Sequence, residues 1–431
     1  MKADLIIYNC SGIATLAGNP GPRTGTAMAD PRIISGGAIV IRDGKIAACG
    51  HESQIMASYQ ADQLVNARGG IVTPGFVDPH THPVFVHTRE DEFALRLEGA
   101  TYVEISKRGG GIRSTIASTR DADEDLLFEL AKTRIKRMTA LGTTTLEAKS
   151  GYGLDTASEL KQLRVIKGLA EDLPIDIIPT FMGAHEYPAE YQDDHEAYLS
   201  ILTEDMIPAV ARQGIAVYCD IFTEAHVYSV DESRRVLNCA ARHGLKLKMH
   251  ADEIEAIGGA ELAAELHCES ADHLGAASDA GINALKVAGV IPVLLPATLF
   301  SLRSKTYARG RYMIDSGLPV AIATDYNPGS CNCDSMPFTM TLACLQMGLS
   351  PAEALCAATI NAAHAIGLGA CKGSLEPGKD ADLIIWDIPS INFIPYHFGS
   401  SHISQVFAKG QLIHSPVASD ADPTCTESTR G

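Results

Sequence analysis

The stretch Ile71-Val72-Thr73-Pro74-Gly75-Phe76-Val77-Asp78-Pro79-His80-Thr81-His82 reads as a buried apolar strand that stops at a turn. Residues two apart on a strand point the same way, so His80 and His82 leave its end together. Two neutral imidazoles on one side are half of a metal site. Alone, the pair is equally a set of strand-end histidines, and the rest of the chain has to decide.

The flanks of this strand differ in character. The segments around 5–8, 37–41 and 45–49 are short and β-like, and so are those around 381–386 and 406–413. Both ends are therefore expected to pair as one small β-sandwich domain, built from 1–70 and 371–415. Residues 416–431 are polar and expected to form a flexible tail. Between the ends, apolar strands alternate with amphipathic helices. Strand candidates fall at 71–77, 143–148, 175–181, 216–222, 245–249, 269–273, 290–295 and 319–323. Helical patterns fall at 124–138, 251–266, 278–288, 307–316 and 351–366. Eight strands with intervening helices predict an α/β fold, a (β/α)8 TIM-like barrel over 71–370.

Such barrels do their chemistry at the C-terminal strand ends. Those ends carry His80-Thr81-His82, Lys149-Ser150-Gly151-Tyr152, His185-Glu186, His250-Ala251-Asp252-Glu253, Asp272-His273 and Asp325-Tyr326-Asn327. Ionisable residues gathered at one rim are a stronger signal than any single motif.

Composition narrows the classes. The chain has 431 residues, 46% hydrophobic and 20% charged, which suits a globular protein with a barrel and a smaller domain. A formal charge of −17 argues against a nucleic-acid surface. No apolar run reaches the ~18 residues of a membrane span. Eleven cysteines without a spacing framework point to reduced thiols in the cytoplasm. Cys331-Asn332-Cys333 is C-x-C, a weak motif better read as loop coincidence. Gly109-Gly110-Gly111 lacks the Lys-Ser/Thr of a phosphate loop and is expected to bend a mobile lid.

The order His-x-His, His, His, Asp along a barrel resembles the amidohydrolase superfamily. The segments HTHPVFVHTREDEFALRLEGATYVEI, GGGIRSTIASTR, LEAKSGYGLD, TFMGAHEYP, KMHADEIEAIGGAELAAEL, SADHL and ATDYNPGS are similar to the imidazolonepropionase family over about residues 1–415. That resemblance implies a barrel with a flanking β-sandwich, usually a cytoplasmic homodimer. It implies a cyclic amidase of histidine catabolism, converting 4-imidazolone-5-propanoate to N-formimidoyl-L-glutamate by metal-activated hydroxide attack on the ring carbonyl. The partners are then a small-molecule substrate and water, with no nucleic acid and no membrane.

Carried over residue by residue, the family's metal ligands fall on His80, His82, His250 and Asp325. Three imidazoles and a carboxylate suit Zn2+ and also Fe2+/Fe3+. Some amidohydrolases bridge two metals with a carboxylated lysine from strand four. Strand four here has none, and Lys149 follows strand two, so one divalent metal is expected. The resemblance makes Asp325 the proton carrier, His273 the stabiliser of the carbonyl oxygen, and Glu253, one helical turn beyond His250, the acceptor from the ring N–H. Glu253 could instead complement a helix dipole. Arg89 matches the propionate-binding arginine, although a surface pairing with Glu90 or Asp91 explains it too. Tyr102, Tyr152 and His185 match substrate contacts. Asn327, Gly329 and Ser330 form a turn whose amides could donate to the carboxylate.

Two departures from the family stand out: His87 adds an imidazole near the entrance, and Cys331/Cys333 replace a plainer turn. The first alternative is another amidohydrolase, such as a nucleobase or amidine deaminase, for which an arginine reserved for a carboxylate would be wasted. The second is a non-catalytic barrel scaffold, which would have lost ligands that this chain retains.

Overall fold

The computed structural model describes residues 1–99 and 110–416. Tyr102 and Gly109 lie outside that range, as do residues 417–431. In chain order the strands are β1 (Lys2–Ala14), β2 (Ile33–Arg42), β3 (Lys45–His51), β4 (Gln60–Asn66), β5 (Ile71–Pro74), β6 (Phe76–Asp78), β7 (Thr143–Lys149) and β8 (Asp176–Ala184). They continue with β9 (Tyr218–Thr223), β10 (Lys246–Ala251), β11 (Ser270–His273), β12 (Ile291–Leu294), β13 (Ala321–Ile322), β14 (Leu383–Trp386), β15 (Ile403–Ala408) and β16 (Gln411–His414). Strands β6 to β13 form one parallel eight-stranded sheet, each beside its sequence neighbour. Strands from both chain ends form a separate sheet in the order β16-β15-β14-β5-β1-β2-β3, with β4 on β1. Ile7, Ile39 and Ile41 from its first half pack with Leu383, Ile385 and Phe407 from its second, enclosing a core of their own.

The strand expected over 71–77 is really two. β5 pairs with β1 and β14 in the terminal sheet, and β6 pairs with β7 in the barrel. The break is Gly75. A Cβ there would lie 2.3 Å from the Thr144 hydroxyl, so only glycine lets the chain cross from one sheet to the other at this point.

The barrel closes between its first and last strands through residues of the rim. Asp325 N–H donates to His80 O at 3.1 Å, and His82 N–H donates to Tyr326 O at 2.8 Å. Beneath this seam the buried Asp78 carboxylate accepts from Thr324 N–H and Oγ1–H at 3.1 and 2.6 Å. Closing the sheet therefore also sets His80, His82 and Asp325 side by side.

Helices start where capping residues allow. Asp123 caps Glu124–Ala140, and Ser229 forms a capping box on Val230–Arg242. The helix expected over 251–266 begins only at Gly259 and runs to Glu265. Ala251 still belongs to β10. Asp252, at φ 49°, turns its carboxylate onto Ile257, Gly259 and Ala260 N–H, which holds the intervening residues as a loop. The single helix expected over 351–366 is two, Pro351–Ala357 and Ile360–Ala365. Thr359 Oγ1–H bonds back to Leu355 O at 2.6 Å where they break. The helix expected over 307–316 shrinks to Gly310–Asp315.

Candidate metal centre and substrate cavity

Three ligand atoms converge where the barrel closes. His80 Nε2 lies 3.3 Å from His82 Nε2 and 3.5 Å from Asp325 Oδ1, and His82 Nε2 lies 3.7 Å from that oxygen. Tetrahedral bonds of about 2.0–2.1 Å place neighbouring donors about 3.3–3.4 Å apart, so these separations are the edges of a metal cup. His250 joins from β10, its ring centroid 4.4 Å from that of His80. His273 brings its ring to 5.0 Å from His250, and its Nε2 is buried with no partner. A second grouping, His80, His250 and His273, also holds its ligand atoms within 4.8 Å of one another.

Carboxylates orient the imidazoles. His80 Nδ1–H donates to Asp272 at 2.6 Å and His250 Nδ1–H to Asp220 at 3.1 Å, which leaves Nε2 of each ring free for the cup. Burial, aided by Lys149 and the neighbouring histidines, holds His80 well below the ordinary imidazole range. Burial, with His185 and His250, does the same for His82. Neutral rings are what a metal requires. Burial pushes Asp325 up to about 6, opposed by the Thr298 hydroxyl, which donates to its Oδ2 at 2.6 Å.

The cup opens into a cavity of about 460 Å³. His273 Nδ1 stands 3.5 Å from Glu253 Oε2. Glu253 is held on the loop after β10, not on a helix, so the expected one-turn spacing from His250 does not apply. The buried Glu224 carboxylate pins that loop by accepting from Ile254 N–H at 2.9 Å and Glu255 N–H at 3.3 Å. Burial, then Asp325 and Glu224, push Glu253 up to about 8. His185 donates Nδ1–H to Gly151 O at 2.9 Å, and its ring stacks on His82 at 5.2 Å. Burial keeps it neutral, down to about 3, and pushes the Tyr152 phenol upward, leaving a hydrogen-bond donor.

Two guanidiniums also line the cavity. Arg89 pairs with Glu92 at 3.1 Å, in place of the expected alternatives Glu90 or Asp91. Its guanidinium lies flat against Gly329, where a Cβ would come within 2.2 Å of Nη2. Arg96 Nη2–H donates to Gly329 O at 3.2 Å. The turn amides expected to face a carboxylate point elsewhere. Gly329 and Ser330 N–H both donate to Asn327 Oδ1 at 2.8 Å, because an Asn side chain satisfies its own turn first. The loop from His82 to Arg89 is held by buried Arg134, which donates to Pro83 O at 3.1 Å and Val86 O at 3.0 Å. His87 is exposed and lies off the cavity.

Sequence reasoning passed over Arg96, Thr298, Glu224 and the orienting role of Asp220 and Asp272. Asp272 precedes His273 and was visible at the rim. Asp220 and Thr298 carry no signal short of strand register.

The profile described as "Amidohydrolase family" matches residues 71–413. The chain is 51% identical over 95% of its length to the imidazolonepropionase of Symbiobacterium thermophilum, covering 97% of it. It is 45% identical to that of Alkaliphilus metalliredigens, covering 96% of this chain and 98% of the relative. An adenosine deaminase from Xanthomonas campestris with bound zinc superposes with TM-score 0.70 at 16% identity, over 95% of this chain and 93% of that one, a likeness of fold.

Proposed function

The chain belongs to the amidohydrolase family and, within it, to the imidazolonepropionases; from that premise we infer that it is a metal-dependent cyclic amidase opening 4-imidazolone-5-propanoate to N-formimidoyl-L-glutamate in histidine degradation. The observation that carries this reading is one cavity lined both by the His/Asp cup and by Arg89 and Arg96. A ring amide with a carboxylate tail fits those two sets of groups. A neutral nucleobase would give two cavity-lining guanidiniums no carboxylate to receive.

His80, His82, His250 and Asp325 would hold one divalent ion, Zn2+ or iron. When bound, it would lower the pKa of its water toward neutrality and polarise the ring carbonyl. The protein's own groups do the rest. Asp325 takes the proton of the attacking water and returns it to the leaving ring nitrogen. His273 Nε2–H donates to the carbonyl oxygen as negative charge grows there. Glu253, facing His273, takes the ring N–H and fixes the plane of the substrate. Arg89 receives the propionate in a bidentate pair, with Arg96 beside it supplying further positive charge. Tyr152 and His185 flank the ring, and Asn327 with Ser330 shapes the turn behind Arg89. The same reading carries a cytoplasmic homodimer, in keeping with ten described cysteines that are all unpaired.

The test is loss of the imidazolone's ultraviolet absorbance, with ammonia release from guanine and cytosine measured alongside. Ring opening supports the reading. Ammonia release without ring opening would turn it toward a deaminase.

A further inference from the structure

The cup described above stands on a layer of buried charge that the reaction does not use. Lys149, the last residue of β7, is wholly enclosed at the barrel centre. Its Nζ lies 2.7 Å from Glu147 Oε1, 2.6 Å from Asp220 Oδ2 and 4.0 Å from Asp272 Oδ2. The last two are the same carboxylates that receive Nδ1–H of His250 and His80. One ammonium thus touches both acceptors that aim the metal-binding imidazoles. His80, Asp220 and Asp272 also form a ligand group in their own right, with ligand atoms within 4.8 Å of one another. Lys149 sits against that group on the Asp220 side, while Lys248, also wholly buried, stands 3.5 Å from Asp272 Oδ2 and donates to Ser270 Oγ at 2.8 Å.

We propose that Lys149 governs the metal affinity and metal number of the cup, serving as the built-in cation for Glu147 and Asp220 and sharing Asp272 with Lys248, so that a single divalent ion binds above them. The proposal rests on the metal reading of His80, His82, His250 and Asp325. A fixed positive charge beneath a dication opposes its binding through a poorly screened interior. The ammonium also draws on Asp220 and Asp272, which weakens their hold on the imidazole N–H and lowers the basicity of Nε2. Without it, the carboxylate charge below the cup is left for the incoming metal to neutralise. The lysine that would be expected on strand four of a two-metal relative is replaced here by an ion-paired one on strand two.

The experiment strips the purified protein of metal, then titrates Zn2+ against a chromophoric chelator and counts bound zinc by atomic emission. Wild type is expected to take one equivalent. Lys149→Met, shown by circular dichroism to be folded, is expected to bind zinc at least fivefold more tightly or to take a second equivalent. Glu147→Gln keeps Lys149 but removes a carboxylate that shares its charge, and is expected to bind more weakly. A purely structural lysine would weaken binding in both. Folded Lys149→Met with one equivalent and affinity less than fivefold tighter overturns the proposal. Should Lys149→Met not fold, Lys149→Gln is titrated in its place under the same criteria, and failure of both to fold marks the lysine as structural and overturns the proposal. If wild type itself takes no zinc or iron, the metal reading fails and this proposal with it; wild-type binding with unaltered variants sinks only the proposal.

Discussion

The metal cup and the guanidinium pair that line this cavity are built in opposite ways. At the cup, His80, His250 and Asp325 come from strand ends, and each has a buried partner, Asp272, Asp220 and Thr298 respectively. Arg89 and Arg96, by contrast, stand on a short helix, Glu90–Leu97, and its N-terminal flank, with no fully buried residue in the helix itself. They are held by one carboxylate, Glu92, and by the backbone of Gly329. The difference is between a centre where position must be fixed to a few tenths of an ångström and a contact where charge and a planar fork suffice. On the proposed reading, chemistry would sit on the frame and recognition on an attachment to it.

If that contrast holds, damage at the cup should act on turnover and damage at the guanidinium pair on substrate affinity. Removing metal with a chelator should abolish activity, and Zn2+ or Fe2+ should restore it; full activity in metal-free protein would erase the contrast. Asp325→Asn should lower kcat by a factor on the order of 10³ or more, the scale of a lost proton carrier; near-normal turnover would remove Asp325 from that role. Arg89→Ala should lower kcat/KM by about 2–4 kcal/mol, the scale for leaving one member of a charged pair alone, and unchanged kinetics would refute its pairing with the propionate. Gly329→Ala should raise KM by roughly tenfold, because the new methyl displaces the Arg89 guanidinium, while kcat stays within about twofold of wild type; an equal fall in kcat would place Gly329 with the chemistry.

The smallest effect concerns stability and pH. Burial lifts the Glu253 carboxyl from 4.5 to about 8 in the folded protein, so folding favours its protonated form. Its contribution is therefore complete below about 4.5 and lost as pH climbs to about 8. Glu253→Gln has no proton to lose, and the Tm of the metal-free variant should fall less than that of wild type over this window. Parallel Tm profiles would show that Glu253 is not held protonated.

Part of this was legible from residues alone. The His80-Thr81-His82 pair at the end of an apolar run, the spacing of eight strands and the chemistry clustered at their ends pointed to a barrel with a metal at its rim. Arg89 was legible only through the family resemblance, because the residues alone left a surface pairing with Glu90 or Asp91 open. Glu253 was found in the right cavity for the wrong local reason. Its loop takes shape only because Asp252 turns its carboxylate onto three amides and Glu224 reaches across from the end of β9. Neither acceptor is visible from the alanine-rich pattern that suggested a helix from residue 251.

Local pattern could identify strands, ligand types and the apolar face of each helix, since these depend on neighbours in the chain. It could not show that Gly75 divides one run between two sheets, because the obstacle is Thr144, sixty-nine positions away. Nor could it show that His273 and Asp325 adopt φ of 73° and 52° to aim their side chains, or that Lys149 lies under both orienting carboxylates. Those features arise from closing the barrel, which brings distant carboxylates, amides and an ammonium into a space without water. There each polar group must find a partner among whatever the fold has placed nearby.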